Sequence, residues 1–191
     1  MKLNLPNKLT LIRMALVPVC MFFISFTAMN DTASRIIALV IFSLTSFTDM
    51  LDGKIARKYN LITDFGKFLD PVADKLLIIG SYLALLVRYR ENTVFVHIMF
   101  WSLFVIVARE IGVTSLRMIV ASKVVVPANI WGKCKTVSQM TCVIVTLLEP
   151  IVFGADAVLL SYITIILSAV LTLVSGMTYF VAYFPYINPK K

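Results

Sequence analysis

Six apolar stretches, at about residues 9–29, 35–58, 71–89, 93–121, 134–153 and 157–182, take up most of this 191-residue chain. Each is long enough to cross a hydrocarbon core of about 30 Å, which takes roughly 20 residues of α-helix. Inside lipid no water satisfies a backbone N–H or C=O, and a helix satisfies both within its own segment. The chain is therefore expected to be an all-α integral membrane protein with six transmembrane helices. Little sequence remains for a soluble domain, so residues 1–191 form a single membrane domain. The 60% hydrophobic content fits no soluble domain of this length.

Charge sets the expected orientation. Lys and Arg in short loops stay on the cytoplasmic side, and 15 of the 18 fall on one side of a six-helix weave. Only Arg35, Arg88 and Arg90 fall on the other, which places both termini in the cytoplasm. The net charge of +8 does not mark a nucleic-acid surface, because these basic residues border membrane helices and form no solvated patch. Anionic headgroups and phosphorylated small molecules suit them better. The N-terminal apolar run is interrupted by Arg13 and lacks a small-x-small cleavage site, so it is read as a retained helix. Cys20, Cys134 and Cys142 form no CxxC pair and are read as buried thiols.

Four carboxylates interrupt this pattern. Asp49 and Asp52, then Asp70 and Asp74, are spaced three and four residues apart, which puts each pair on one helical face. A carboxylate near the bilayer centre costs about 2.5–3.5 kcal/mol, so a cation is expected to neutralise them. Residues 59–68, with Gly66 among them, read as a polar turn that folds the second and third helices into an antiparallel hairpin and sets the two pairs opposite each other. By the charge rule this cluster lies at the cytoplasmic face and forms the expected active-site pocket. Asp64, in the turn, is read as solvated.

Aspartates with no His or Cys nearby are hard oxygen donors that suit Mg²⁺ or Mn²⁺. His97, the single histidine, belongs to the opposite membrane face. Four carboxylates around one pocket hold two metals more easily than one, and paired divalent ions clamp the oxygens of a phosphoryl displacement. Gly53 would let a substrate lie against the helix, and Arg57 would grip a diphosphate. Structural ion pairs with Lys54, Lys67 and Lys75 are the plainer explanation of the acids, but they account for neither the spacing nor the glycine.

Asp49, Asp52, Gly53, Ala56, Arg57, Gly66, Asp70 and Asp74 match DxxDGxxAR(x8)GxxxDxxxD without departure. This pattern resembles the signature of the CDP-alcohol phosphotransferases, six-helix membrane enzymes that join a CDP-linked lipid or alcohol to a second alcohol and release CMP. The resemblance implies that Asp49, Asp52, Asp70 and Asp74 ligate metal, with Asp74 also acting as general base. It implies that Gly53, Arg57 and Thr63 meet the CDP-diacylglycerol headgroup. Pro6, Asn7, Thr10 and Arg13 resemble the family's PNxxTxxR stretch, whose Asn and Thr approach the nucleotide, although a helix start capped by Asn7 would read the same. The family often forms homodimers.

The second half points to the acceptor. Residues 108–117, AREIGVTSLR, put Glu110, Thr114 and Arg117 on one helical face, with Arg109 about 100° away. Residues 132–139, GKCKTVSQ, add Lys133, Lys135 and Gln139. Arg109 and Arg117 lie inside an apolar run, where a cation needs a reason beyond anchoring a helix end. With Lys133 and Lys135 they suit an acceptor that itself carries phosphate. Both stretches also resemble the bacterial branch of the family that makes phosphatidylglycerophosphate from CDP-diacylglycerol and sn-glycerol 3-phosphate. Other acceptors, inositol phosphate or phosphatidylglycerol, are the alternatives within the family, and a small cation or proton transporter is the alternative outside it. On the last helix Ser168, Thr172 and Gly176 form a small-xxx-small stripe that fits close packing within the chain or between two chains.

Overall fold

The computed structural model describes residues 4–26, 30–59, 63–120 and 129–186; the side chains at 50–58 and 67 also lie outside the described set. Six helices follow one another: α1 (Leu5–Ser25), α2 (Asp31–Lys58), α3 (Asp64–Arg88), α4 (Thr93–Val120), α5 (Ile130–Phe153) and α6 (Leu159–Tyr183), with a 3₁₀ turn at Phe184–Tyr186. No strand occurs among the described residues. Five helices, all but α3, contain a segment long and apolar enough to cross a membrane. α3 carries Asp64, Lys67, Asp70, Asp74 and Lys75 in its N-terminal half, which confines its uninterrupted apolar run to residues 76–87.

The helices pack in a closed circuit, α1 to α2 to α5 to α6 to α4 to α3 and back to α1. Among the described residues α2 and α3, although consecutive, meet at only a few positions, and α1 packs against both. The first helix is thus the partner of each half of the expected hairpin. The interior holds Ile24, Phe42, Tyr82, Leu85, Phe95, Met99, Ile106, Leu147 and Ile165. Small polar residues are buried with them, among them Ser34, Thr45, Ser161, Ser168, Thr172 and Ser175, whereas Val40, Phe47, Trp101, Phe104 and Ile163 face outward. Polar-in, apolar-out packing is how helices associate in lipid, where small hydroxyl residues permit close approach.

Several helix starts lie earlier than the hydropathy suggests, because capping residues extend them. The Asn30 side chain accepts from Thr32 N at 3.1 Å and begins α2. Asn129 caps α5, so Lys133 and Lys135 are helical. Glu149 and Pro150 lie inside α5, which ends at Phe153 before Gly154, whose φ of 103° suits a residue without a side chain. The buried Glu149 carboxylate accepts from Leu160 N and Ser161 N, each at 2.7 Å, and so caps α6 from another helix. Cys20 and Cys142 are buried as expected, but Cys134 is exposed on the outer surface of α5, which corrects the reading of it as a buried thiol.

At the end of the bundle away from the acid cluster, Asp31 pairs with Arg35 at 2.6 Å and with Arg88. Arg35 also donates to the Tyr89 hydroxyl at 2.9 Å and Arg88 to the Ile24 carbonyl at 2.7 Å. Two of the three basic residues that break the charge bias therefore share one carboxylate at that end of the bundle.

Candidate active site

One face of α1 builds the acid site. Asn7, Thr10 and Arg13, each about one turn apart, are all buried, and the face continues through Val17, Cys20 and Ile24 into the core. Asn7 Nδ2 donates to Thr63 Oγ1 at 3.0 Å, and Thr63 in turn accepts from Gly66 N at 3.1 Å as the N-cap of α3. Gly66 is accordingly part of the first turn of α3, which starts at Asp64, within the stretch 59–68 that was expected to be a turn. Its lack of a side chain serves close approach: a Cβ there would sit 2.8 Å from Asn7 Oδ1. Asp64, the first helical residue, is exposed.

Farther along α1, Thr10 Oγ1 donates to Asp70 Oδ1 at 2.9 Å. Arg13 Nη1 lies 2.6 Å from Asp49 Oδ1 and 3.0 Å from Asp74 Oδ1, so one nitrogen bridges carboxylates of α2 and α3. This guanidinium is the expected cation for two of the four acids, Asp49 and Asp74. Its side chain is 0% exposed, whereas those of Asp49 and Asp74 are 31% and 44% exposed, which leaves the carboxylates open on the side away from Arg13.

The structure thus brings Asp49 and Asp74 together and places Asp70 one turn from Asp74. Asp52, Gly53 and Arg57 belong to α2, but their side chains lie outside the described residues. Among the described residues no three His, Cys, Asp or Glu side chains gather closely enough to hold a metal ion. The donor set nevertheless fits a hard divalent cation: it is all carboxylate and faces solvent on one side. His97 is exposed near the start of α4, on the other end of the bundle.

Beside the acids lies a cavity of about 410 Å³ between α3, α4, α5 and α6. Lys75, Arg109, Arg117, Lys133 and Lys135 line it, together with Asp74, Glu110, Thr114, Asn129 and Tyr179. All four cations expected to meet the acceptor phosphate are present. Glu110 pairs with two of them, Lys135 and, at 3.1 Å, Arg109, and also lies 4.0 Å from Lys75. Lys75 Nζ donates to Thr114 Oγ1 at 2.9 Å, so it belongs to this cavity and makes no ion pair with the aspartates among the described contacts. Asp74 lines both this cavity and a smaller cleft of about 50 Å³ that reaches Asp49 and Gln139. Tyr179 is a lining residue the sequence did not announce, and its only signal was its place one turn beyond the small-residue stripe of α6. That stripe serves packing within the chain: Ser168 Oγ lies 2.9 Å from the Tyr82 hydroxyl, Thr172 accepts from Gln139 Nε2 at 2.9 Å, and a Cβ at Gly176 would sit 3.1 Å from Arg109 Cγ.

Sequence comparison gives the class of this helical bundle: the CDP-alcohol phosphatidyltransferase family matches residues 3–175. The chain belongs to that family. It is 38% identical over 189 residues to the CDP-diacylglycerol–glycerol-3-phosphate 3-phosphatidyltransferase of Bacillus subtilis, covering 93% of each protein. It is 37% identical to the protein of the same name from Rickettsia bellii, covering 94% of each. A probable phosphatidylglycerophosphate synthase of Mycobacterium tuberculosis is 36% identical, over 92% of this chain and 79% of that protein.

Proposed function

We propose that the protein transfers the phosphatidyl group of CDP-diacylglycerol to sn-glycerol 3-phosphate, giving phosphatidylglycerophosphate and CMP. The observation that carries this reading is the position of Asp74, at once a neighbour of Asp49 through Arg13 and a wall of the basic cavity. A base at that junction touches both the acid site and the space for an anionic acceptor. The names of the relatives agree with this donor and acceptor.

Lys75, Arg109, Arg117, Lys133 and Lys135 hold the acceptor's phosphate, leaving its primary hydroxyl toward Asp74. Asp74 takes the hydroxyl proton as the oxygen attacks the lipid-linked phosphorus. A phosphorus–oxygen bond forms to the acceptor, the bond from that phosphorus to the CMP oxygen breaks, and CMP leaves with the electron pair. Gly53, Arg57 and Thr63 hold the CDP headgroup, and Asn7 and Thr10 act on that side through Thr63 and Asp70, which they orient. Asp49, Asp52, Asp70 and Asp74 would hold two Mg²⁺ or Mn²⁺ ions, which when bound supply positive charge against the diphosphate. α3 completes a sixth crossing with its charged first half at the cytoplasmic face, where the soluble acceptor enters while the lipid tails remain between helices.

The test is CMP release by purified protein given CDP-diacylglycerol and, at equal concentration, sn-glycerol 3-phosphate, inositol phosphate or phosphatidylglycerol. The fastest release is expected with sn-glycerol 3-phosphate; faster release with either other acceptor overturns the assignment.

A further inference from the structure

Tyr179 is buried, 3% exposed, yet its hydroxyl and its ring face are both engaged by groups of the basic cavity. Its oxygen accepts from Arg117 Nη2 at 2.8 Å and from the backbone N–H of Asn129, the cap of α5, at 3.1 Å. Its ring lies beneath two guanidiniums, with Arg109 Cζ at 5.5 Å and Arg117 Cζ at 4.9 Å from the centroid. Two like charges over one ring repel each other, and an aromatic face offsets part of that cost because its quadrupole attracts cations from above. The neighbourhood is shaped around this arrangement. Gly176, one turn earlier on α6, is where a Cβ would come within 3.1 Å of Arg109 Cγ, and Ser175 holds Arg109 Nη2 at 2.8 Å. Arg109 Nε has no hydrogen-bond partner among the described residues, so this guanidinium keeps a donor to spare.

We propose that Tyr179 is a positioning residue for acceptor recognition: it fixes Arg109 and Arg117 as a paired clamp for the acceptor's phosphate. Two arginines held in advance lose less freedom when the anion arrives than two that must be gathered by it. The hydroxyl sets Arg117 and the end of α5, and the ring sets both guanidiniums. Tyr179 acts through the arginines, so the lipid donor does not sense it. This proposal rests on the acceptor being phosphorylated.

The experiment compares wild type, Y179F, Y179L, R117A and R117A/Y179F, varying sn-glycerol 3-phosphate and CDP-diacylglycerol separately. Loss of a hydrogen bond to a charged group predicts that Y179F raises the acceptor KM about tenfold and changes kcat and the donor KM less than about twofold. Y179L, which also lacks the ring, raises the acceptor KM about tenfold more than Y179F. Because the hydroxyl works through Arg117, adding Y179F to R117A changes the acceptor KM less than about twofold. Three results overturn the proposal: equal increases in both KM values, a Y179F effect that persists undiminished in R117A, or a Y179F variant with unchanged kinetics. The wild-type arm separates this from the acceptor assignment. If a different phosphorylated alcohol proves to be the substrate, the same series with that acceptor decides the role of Tyr179; if only an unphosphorylated acceptor releases CMP, both readings fall.

Discussion

Replacing Arg13 by alanine removes the one nitrogen shared by Asp49 and Asp74, 2.6 and 3.0 Å away, and leaves two carboxylates facing each other across the space it filled. Each lost contact is a hydrogen bond between charged groups, worth about 1.5–3 kcal/mol when the partner stays buried. The aspartate side chains are 31% and 44% exposed, so water recovers part of that loss. The expected destabilisation is about 2–3 kcal/mol, which for a chain of this length lowers Tm by roughly 5–10 °C. Thermal unfolding in detergent measures it, and a double-mutant cycle with Asp49→Asn identifies its origin. Once Asp49 is neutral, Arg13 has one charged partner fewer, so the double variant loses at least about 1 kcal/mol less than the sum of the single ones. Additive losses, agreeing to about 0.5 kcal/mol, would show that Arg13 stabilises the protein without bridging these acids.

Other changes test separate parts of the account. Asp74→Asn is expected to lower kcat by about 10² or more with the fold retained, measured by CMP release and circular dichroism; normal turnover removes Asp74 as the base. Glu149→Gln weakens the cap of α6, costing about 1–2 kcal/mol in thermal unfolding while both KM values stay put, since the residue lies far from the acids. Gly66→Ala pushes Asn7 off Thr63, and the KM for CDP-diacylglycerol should rise with little change in that for the acceptor; the opposite pattern would place Thr63 on the acceptor side. Chelation with EDTA should stop CMP release, and added Mg²⁺ or Mn²⁺ should restore it.

The helical membrane character of the chain was legible in its hydropathy, and five of the six expected runs are helices long and apolar enough to cross a membrane. That Asp49 and Asp74 meet at one cation, and that Arg109, Arg117, Lys133 and Lys135 gather at one cavity, was foreshadowed too, since acids and arginines in apolar runs demand an explanation. The part α1 plays between the acids was not. Periodicity shows that Asn7, Thr10 and Arg13 share a face of α1, but the order of helices around the bundle is not a local property. Nothing in the sequence places that face between α2 and α3. Gly66 was read as a turn because glycine breaks helices; its role is close approach to Asn7, and the Thr63–Asp64 pair just before it is the better helix-start signal. Lys75 entered only as a partner in the plainer ion-pair explanation of the aspartates, and its side chain instead leaves that face for Thr114 and Glu110 of α4. Tyr179 went unread because its two arginines come from another helix more than sixty residues away.

In the function proposed above, the acid pair and the basic cavity are two halves of one reaction centre for a phosphorylated acceptor. The most direct measurement is the rate of CMP release from saturating CDP-diacylglycerol with sn-glycerol 3-phosphate against glycerol at the same concentration. The phosphorylated alcohol should react faster by about a hundredfold or more, as expected when charged groups positioned for a phosphate are otherwise left unpaired. Equal rates with the two alcohols would contradict the account.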